Sequence, residues 1–232
     1  MLIDVNVEMY PDVLKHFPGY DYRVCYTDGV PTPERVDYRR GDNVTGHQQR
    51  AFIMWWAIEA IKSGYVAIEL GGAVHTPGAI DVDRYADDVN PPIGRSDGHN
   101  PAICLDGCNL SLLRSGKWGG HISNHVFEHL DDPYKAVREA FRLMRPGAHF
   151  CMIVPDSSIQ TWNYPDDRHV SAFLPRAGCK LYPYDVSEVG DPRNVICLDE
   201  FALWMIMELG GYLEEITTLN NNFSLNLVVR KL

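Results

Sequence analysis

What this 232-residue chain lacks narrows its function before any motif is read. No apolar run reaches the ~18–20 residues that span a bilayer, so a membrane-embedded protein is not expected. The opening MLIDVNVEMYPDVLKHF has no basic segment followed by an apolar core, which argues against a secretory leader. Basic residues are in deficit, with 21 Lys and Arg against 31 Asp and Glu, a formal net charge of −10. That balance repels phosphate backbones and anionic membranes, and it leaves small molecules and proteins as partners. Cysteine is sparse: of Cys25, Cys104, Cys108, Cys151, Cys179 and Cys197, only Cys104 and Cys108 lie close together. No second pair at ligand spacing accompanies them, so no structural zinc is expected, and reduced core thiols in a cytoplasmic protein are. Repeats and low-complexity tracts are absent as well.

What is present reads as one domain with an irregular leader. At this length a single sizeable core is the default, and 45% hydrophobic residues with 11% aromatics suit a globular chain. Residues 1–45, rich in Tyr, Pro, Asp and Arg, show no sustained period and read as an N-terminal extension; residues 46–232 form the domain. QQRAFIMWWAIEAIK, from Gln48 to Lys62, has the apolar face of a helix that must pack on a sheet, with Gly64 as its stop. The tryptophans of this helix also admit a homodimer interface.

Strands are expected at Tyr65–Leu70, Ala79–Val82, Ala102–Leu105, Gly120–Ser123 and Phe150–Val154. Tyr212–Leu219 and Leu225–Arg230 follow as an antiparallel hairpin about an Asn turn. A helix is capped by Asp131 or Asp132, opens at Pro133, and aligns Val137, Ala140, Phe141 and Met144 on one face. Arg142 and Arg145 suit its C-terminal dipole, and Pro146-Gly147 ends it. Residues 156–198 read as an inserted loop or lid. A last helix runs over Asp199–Leu209, with Trp204, Met205 and Met207 adding apolar bulk. The order is that of an α/β fold, a doubly wound, Rossmann-like and mostly parallel sheet of seven strands closed by an antiparallel hairpin.

Three segments carry a family resemblance. GHISNHVFEHLDDPYKAVREAFRLMRPGAHFCMIVPD, over Gly120–Asp156, and IELGGAVHTPGAIDVD, from Ile68, resemble motifs of class I S-adenosylmethionine-dependent methyltransferases. The subgroup is the one with a compact glycine loop and HVLEHL and LkPGG motifs; DDRHVSAF is similar to its continuation. The likeness covers residues 64–232 and implies S-adenosylmethionine as cofactor. Gly71 and Gly72 would let the backbone approach it, Glu69 would orient that loop or meet the ammonium through water, and Asp83 would hold the ribose hydroxyls. Asp106 would accept from the adenine amino group, and Asn124 completes the implied cofactor contacts.

Methyl transfer also needs acceptor, methyl and leaving sulfur aligned, and a proton removed if the acceptor is a hydroxyl. His125 and His169 are the candidate bases, with Asp166 and Asp167 as orienting groups or divalent-cation ligands. Trp162, Tyr164 and Tyr182 are candidates for the acceptor wall, and no metal site is assigned. The expected reaction is methyl transfer to a small polar acceptor, a sugar or glycan precursor being the narrower reading. Two departures, Ala73 for the third glycine and Gly119 for the acid that opens the fourth-strand motif, motivate a second reading: an inactive scaffold subunit. His125-x-x-Glu128-His129 also fits an inverted zinc-peptidase pattern, which requires both histidines on one continuous helix. The Asp-Asp-Pro helix start just downstream argues against that; Glu128 and His129 are expected to organise the turn and pack beneath it.

Overall fold

The computed structural model describes residues 65–71, 79–83, 103–159, 169–182, 192–219 and 224–232. The N-terminal extension and the expected helix at 48–62 lie outside them. Seven strands form the main sheet: β1 (Ala67–Leu70), β2 (Ala79–Asp83), β3 (Ile103–Cys104), β4 (Trp118–Asn124), β5 (Met144–Pro155), β8 (Gly211–Leu219) and β9 (Ser224–Lys231). Their order is β3-β2-β1-β4-β5-β9-β8. The first five run parallel and β9 enters antiparallel between β5 and β8. β1 and β4 are buried along nearly their whole length, as central parallel strands must be.

Rows of paired residues define the two faces of the sheet. Ile68, His121, Phe150 and Val229 lie in one row, and Glu69, Ile122, Cys151, Val228 and Glu215 in the next. The first face is the apolar one. Against it packs helix α1 (Pro133–Leu143) through Ala136, Val137, Ala140, Phe141 and Leu143. Helix α2 (Leu198–Leu209) joins the same core through Leu198, Phe201, Ala202 and Met205. The second face carries the buried polar residues Glu69, Asp81, Glu215 and Asn226.

Local chemistry starts α1 and tertiary partners end it. Asp132, not Asp131, is the cap, accepting the Lys135 backbone N–H at 2.9 Å, and Pro133 opens the first turn. The helix closes at Leu143, before the expected Pro146-Gly147 stop. Met144 is already extended and fully buried as the first residue of β5 rather than on the helix face. Pro146 restricts the residue before it to extended backbone. The freed carbonyls find partners elsewhere: Gly116 and Lys117 donate backbone N–H groups to Arg142 and Leu143, and Lys231 Nζ donates to Phe141 and Met144.

Neither arginine does only what its helix position suggests. Arg142 donates to the carbonyls of Leu110 and Leu113 and to Ser115 Oγ while pairing with Glu139, which staples the loop after β3. Arg145 lies outside the helix and sits over the Tyr65 ring at 3.8 Å. Met207, counted as apolar bulk, is 73% exposed because it falls on the outer side of α2.

The stretch at 156–198, expected as loop, contributes two more strands: β6 (Ser171–Leu174) and β7 (Asn194–Cys197). They pair parallel in a small sheet of their own. The burial of Phe173 and Ile196 against α2 gives these short runs their reason to be extended. Among the described cysteines Cys108, Cys151, Cys179 and Cys197 are free thiols, but only Cys151 is a core residue. No described helix is long and apolar enough to cross a membrane.

Candidate functional site

In an open parallel sheet, ligands bind where the strand order reverses, at the carboxyl ends of the strands. Here that point lies between β1 and β4. β1 ends at Leu70 and hands the chain to Gly71, which donates its N–H to Val82 at 2.9 Å and has a φ of +86°. A Cβ on Gly71 would lie 2.3 Å from Val126 Cγ2, so the turn after β1 and the turn after β4 touch with no room for a side chain between them. Glu69 is buried on the second face of the sheet, in register with Asp81 and Ile122. Asp83 closes β2, half-buried at the same end of the sheet. Gly72 lies outside the described residues, as do Ala73, Trp162, Tyr164, Asp166 and Asp167.

Asp106 follows β3 and is exposed. Its Oδ1 accepts the Cys108 N–H at 2.8 Å and its carbonyl accepts the Asn109 N–H, so part of its hydrogen-bonding capacity shapes its own turn. Gly107 next to it packs on Leu70: a Cβ there would lie 2.8 Å from Leu70 Cδ2, which draws this loop over the end of β1. Asn124 ends β4, and its buried Oδ1 has no hydrogen-bond partner. A buried amide oxygen left unpaired costs about 1–3 kcal/mol, the mark of a group arranged for something else.

The turn after β4 concentrates the chemistry. His125 is the one non-glycine residue with positive φ among the described residues, at +54°. That conformation costs an L-residue roughly 1–2 kcal/mol and is found where a side chain must be aimed. Its Nδ1–H donates to Glu128 Oε1 at 3.1 Å, and its Nε2 lies 3.4 Å from Ser224 Oγ. A single 3-10 turn, Phe127–His129, follows, Leu130 is extended, and α1 begins only at Pro133. No continuous helix therefore runs through His125 and His129, which removes the geometry a zinc-peptidase reading requires.

Glu128 is 1% exposed. Burial alone would push its carboxyl up, but the hydrogen bond from His125 and the charges of His125, His129 and His169 outweigh it. The net effect holds it below its ordinary value. His129 does not pack beneath the turn as expected: it is exposed, its ring edge-on to His169 with centroids 4.5 Å apart. His169 reaches the turn from the segment leading into β6, its Nε2 4.0 Å from Glu128 Oε1. The Val170 N–H donates to the Glu128 carbonyl at 2.8 Å and fixes that approach.

The structure thus brings His125 and His169 around Glu128, with Gly71 against Val126 of the same turn and Asn124, Asp83 and Asp106 at neighbouring strand ends. Tyr182 donates its N–H to the Ser157 carbonyl, and its ring is 41% exposed. Two contributors go beyond the sequence reading: Glu128, expected only to organise the turn, is buried beside three histidines, and Ser224 comes from the start of β9.

Gly119 has a local reason to be glycine. A Cβ there would lie 2.6 Å from the Tyr65 carbonyl, and the residue sits near the start of β4, away from the strand ends that form the crevice. Its lack of a carboxylate therefore says nothing against the site. The carboxylates ending β2 and following β3, with the unpaired Asn124 amide oxygen at the reversal point, fit a nucleotide-bearing cofactor with an amino-acid tail.

A family model described as a methyltransferase domain matches residues 63–152. No curated protein matches the chain. Among solved structures, the cyclase SpnF shares 13% identity at a TM-score of 0.51, over 83% of this chain and 85% of its own. An S-adenosylmethionine-dependent methyltransferase from Aquifex aeolicus shares 12% identity at a TM-score of 0.44, covering 72% of this chain and 82% of its own. A methyltransferase described as putative, solved with the Haloferax volcanii activator Trm112, shares 12% at 0.48, covering 77% and 89%.

Proposed function

We propose, for a chain that carries a class I S-adenosylmethionine-dependent methyltransferase domain, that it methylates a hydroxyl of a small polar acceptor. The carrying observation is the strand-order reversal between β1 and β4, where Gly71 packs on Val126 and the turn after β4 presents the His125–Glu128 pair. The cofactor supplies an activated methyl on a sulfonium. The rest falls to the chain's own residues. Gly71 and Gly72 would border the cofactor's amino-acid and ribose portions, and Glu69 would orient that loop. Asp83 accepts from the ribose hydroxyls. Asp106 accepts from the adenine amino group with the oxygen its own turn leaves over, and Asn124 supplies its unpaired amide oxygen.

His125 takes the acceptor's proton on Nε2, because Nδ1 is committed to Glu128. Glu128 is a positioning residue that fixes the tautomer and ring plane. His169, next to Glu128, borders the acceptor side. A sugar or glycan precursor is the acceptor class that suits a turn rich in imidazole and carboxylate, which offers partners to several hydroxyls. The fold alone does not decide methyl transfer, since the cyclase SpnF shares it. Product formation is therefore the measurement that separates an enzyme from a scaffold that only binds.

Calorimetry of the purified chain with S-adenosylmethionine and S-adenosylhomocysteine tests the reading. Saturable binding is expected, lost by about tenfold or more in Asp83→Ala, in line with removal of hydrogen bonds to a charged group worth about 1.5–3 kcal/mol. No binding at millimolar cofactor would sink it.

A further inference from the structure

The group Glu128, His129 and His169 is more than the methyl-transfer reading uses. One ligand-type atom from each lies within 4.8 Å of the others. Their backbones are linked, since the Val170 N–H donates to the Glu128 carbonyl and the His129 N–H to that of Val126. The decisive feature is the Glu128 carboxylate. Its Oε1 accepts from His125, while Oε2 is buried with no hydrogen-bond partner, in a side chain only 1% exposed. An ionisable oxygen kept from water in that way is costly unless something positive meets it.

We propose that Glu128, His129 and His169 form a binding site for one first-row divalent transition ion of the zinc or manganese class. The donor chemistry favours this class: two imidazoles and one carboxylate suit such ions, whereas magnesium and calcium favour all-oxygen shells. Bonds of about 2.0–2.2 Å to nitrogen and oxygen would place the donors roughly 3–3.5 Å apart. The site closes by about an ångström on loading, within reach of a ring rotation of the exposed His129. His125 holds Oε1 of this carboxylate, the oxygen 4.0 Å from His169 Nε2, and so gives the supporting hydrogen bond that metal-ligating carboxylates require. Three protein donors leave positions for water or for oxygen atoms of a bound acceptor. The site differs from a peptidase centre because the His125-x-x-Glu128-His129 run is not helical, and it stands independently of the methyl-transfer reading.

The test uses the full-length chain, stripped with chelator and titrated with Zn2+, Mn2+ and Mg2+ by calorimetry near neutral pH. One equivalent of Zn2+ or Mn2+ should bind in clear preference to Mg2+. His169→Ala and His129→Ala should each weaken that binding about 100-fold, the upper range reported for loss of a residue that merely supports a metal. Unfolding curves of the apo proteins check that each variant is folded; should His169→Ala fail, the exposed His129→Ala decides. Absence of a saturable site overturns the proposal, as does binding unchanged in a folded His129→Ala, or equal affinity for Mg2+. S-adenosylhomocysteine binding, measured on the metal-free protein, reports separately on the methyl-transfer reading.

Discussion

Two turns leave the sheet side by side, one after β1 and one after β4, and each contains a left-handed residue. After β1 it is Gly71, at φ +86°; after β4 it is His125, at +54°. At Gly71 the space a side chain would need is filled by Val126. At His125 a side chain is required, because imidazole is what bridges Glu128 and Ser224. The backbone shape is similar and the reason for it is opposite. The first turn goes without a side chain because Val126 takes its place; the second accepts strain to aim a polar group.

The largest expected effect falls on the first turn. Gly71→Ala meets both the positive φ and the 2.3 Å approach to Val126, and the two together should cost about 3 kcal/mol. Chemical unfolding measures the loss, and cofactor calorimetry should show binding gone; a variant as stable as the parent would mean the turns do not touch.

Acid probes the strand that feeds the second turn. His121 is buried in β4, stacked on Phe150, with neither ring nitrogen partnered, and burial lowers its pKa from 6.5 to about 3. The native state therefore keeps it neutral while the unfolded chain takes up a proton below pH 6.5. Stability falls as pH drops, by about 2 kcal/mol from this group at pH 5. Glu128, held below its usual 4.5, keeps its own contribution throughout that window and loses it only at lower pH. His121→Leu should flatten the decline between pH 6.5 and 5, and unfolding curves across that range that match the parent would refute the assignment.

The smallest effect tests the second turn directly. His125→Ala and His125→Gly both lose the contacts to Glu128 and Ser224, but only alanine keeps the left-handed strain. Glycine should be the more stable of the two by about 1 kcal/mol, with methyl transfer abolished in both. Equal stabilities would show that the turn is not left-handed.

Much of the fold was legible because it rests on local signals. Buried β-branched runs, the Asp-Pro helix start and the final antiparallel strand pair each carry their reason within a few residues. Two features escaped for want of such a signal. The end of α1 depends on Gly116, Lys117 and Lys231, all distant in sequence, and β6 and β7 are extended because Phe173 and Ile196 are buried against α2. Of the candidate site, the glycine turn and the strand-end acids could be named from position alone. The importance of Glu128 could not, because a glutamate in an HxxEH run looks alike whether it is solvated or 1% exposed.

By itself the sequence determined the elements, their order and the family likeness, since propensity, periodicity and turn chemistry act over short stretches of chain. Only the tertiary structure decided which polar groups lose water together. Glu128, His169 and Ser224 lie up to 96 positions apart (224 − 128) and meet because β9 returns beside β5 and the segment before β6 folds back on the turn. Desolvation is a property of that enclosure, and it is what turns an ordinary carboxylate into one that demands a positive partner.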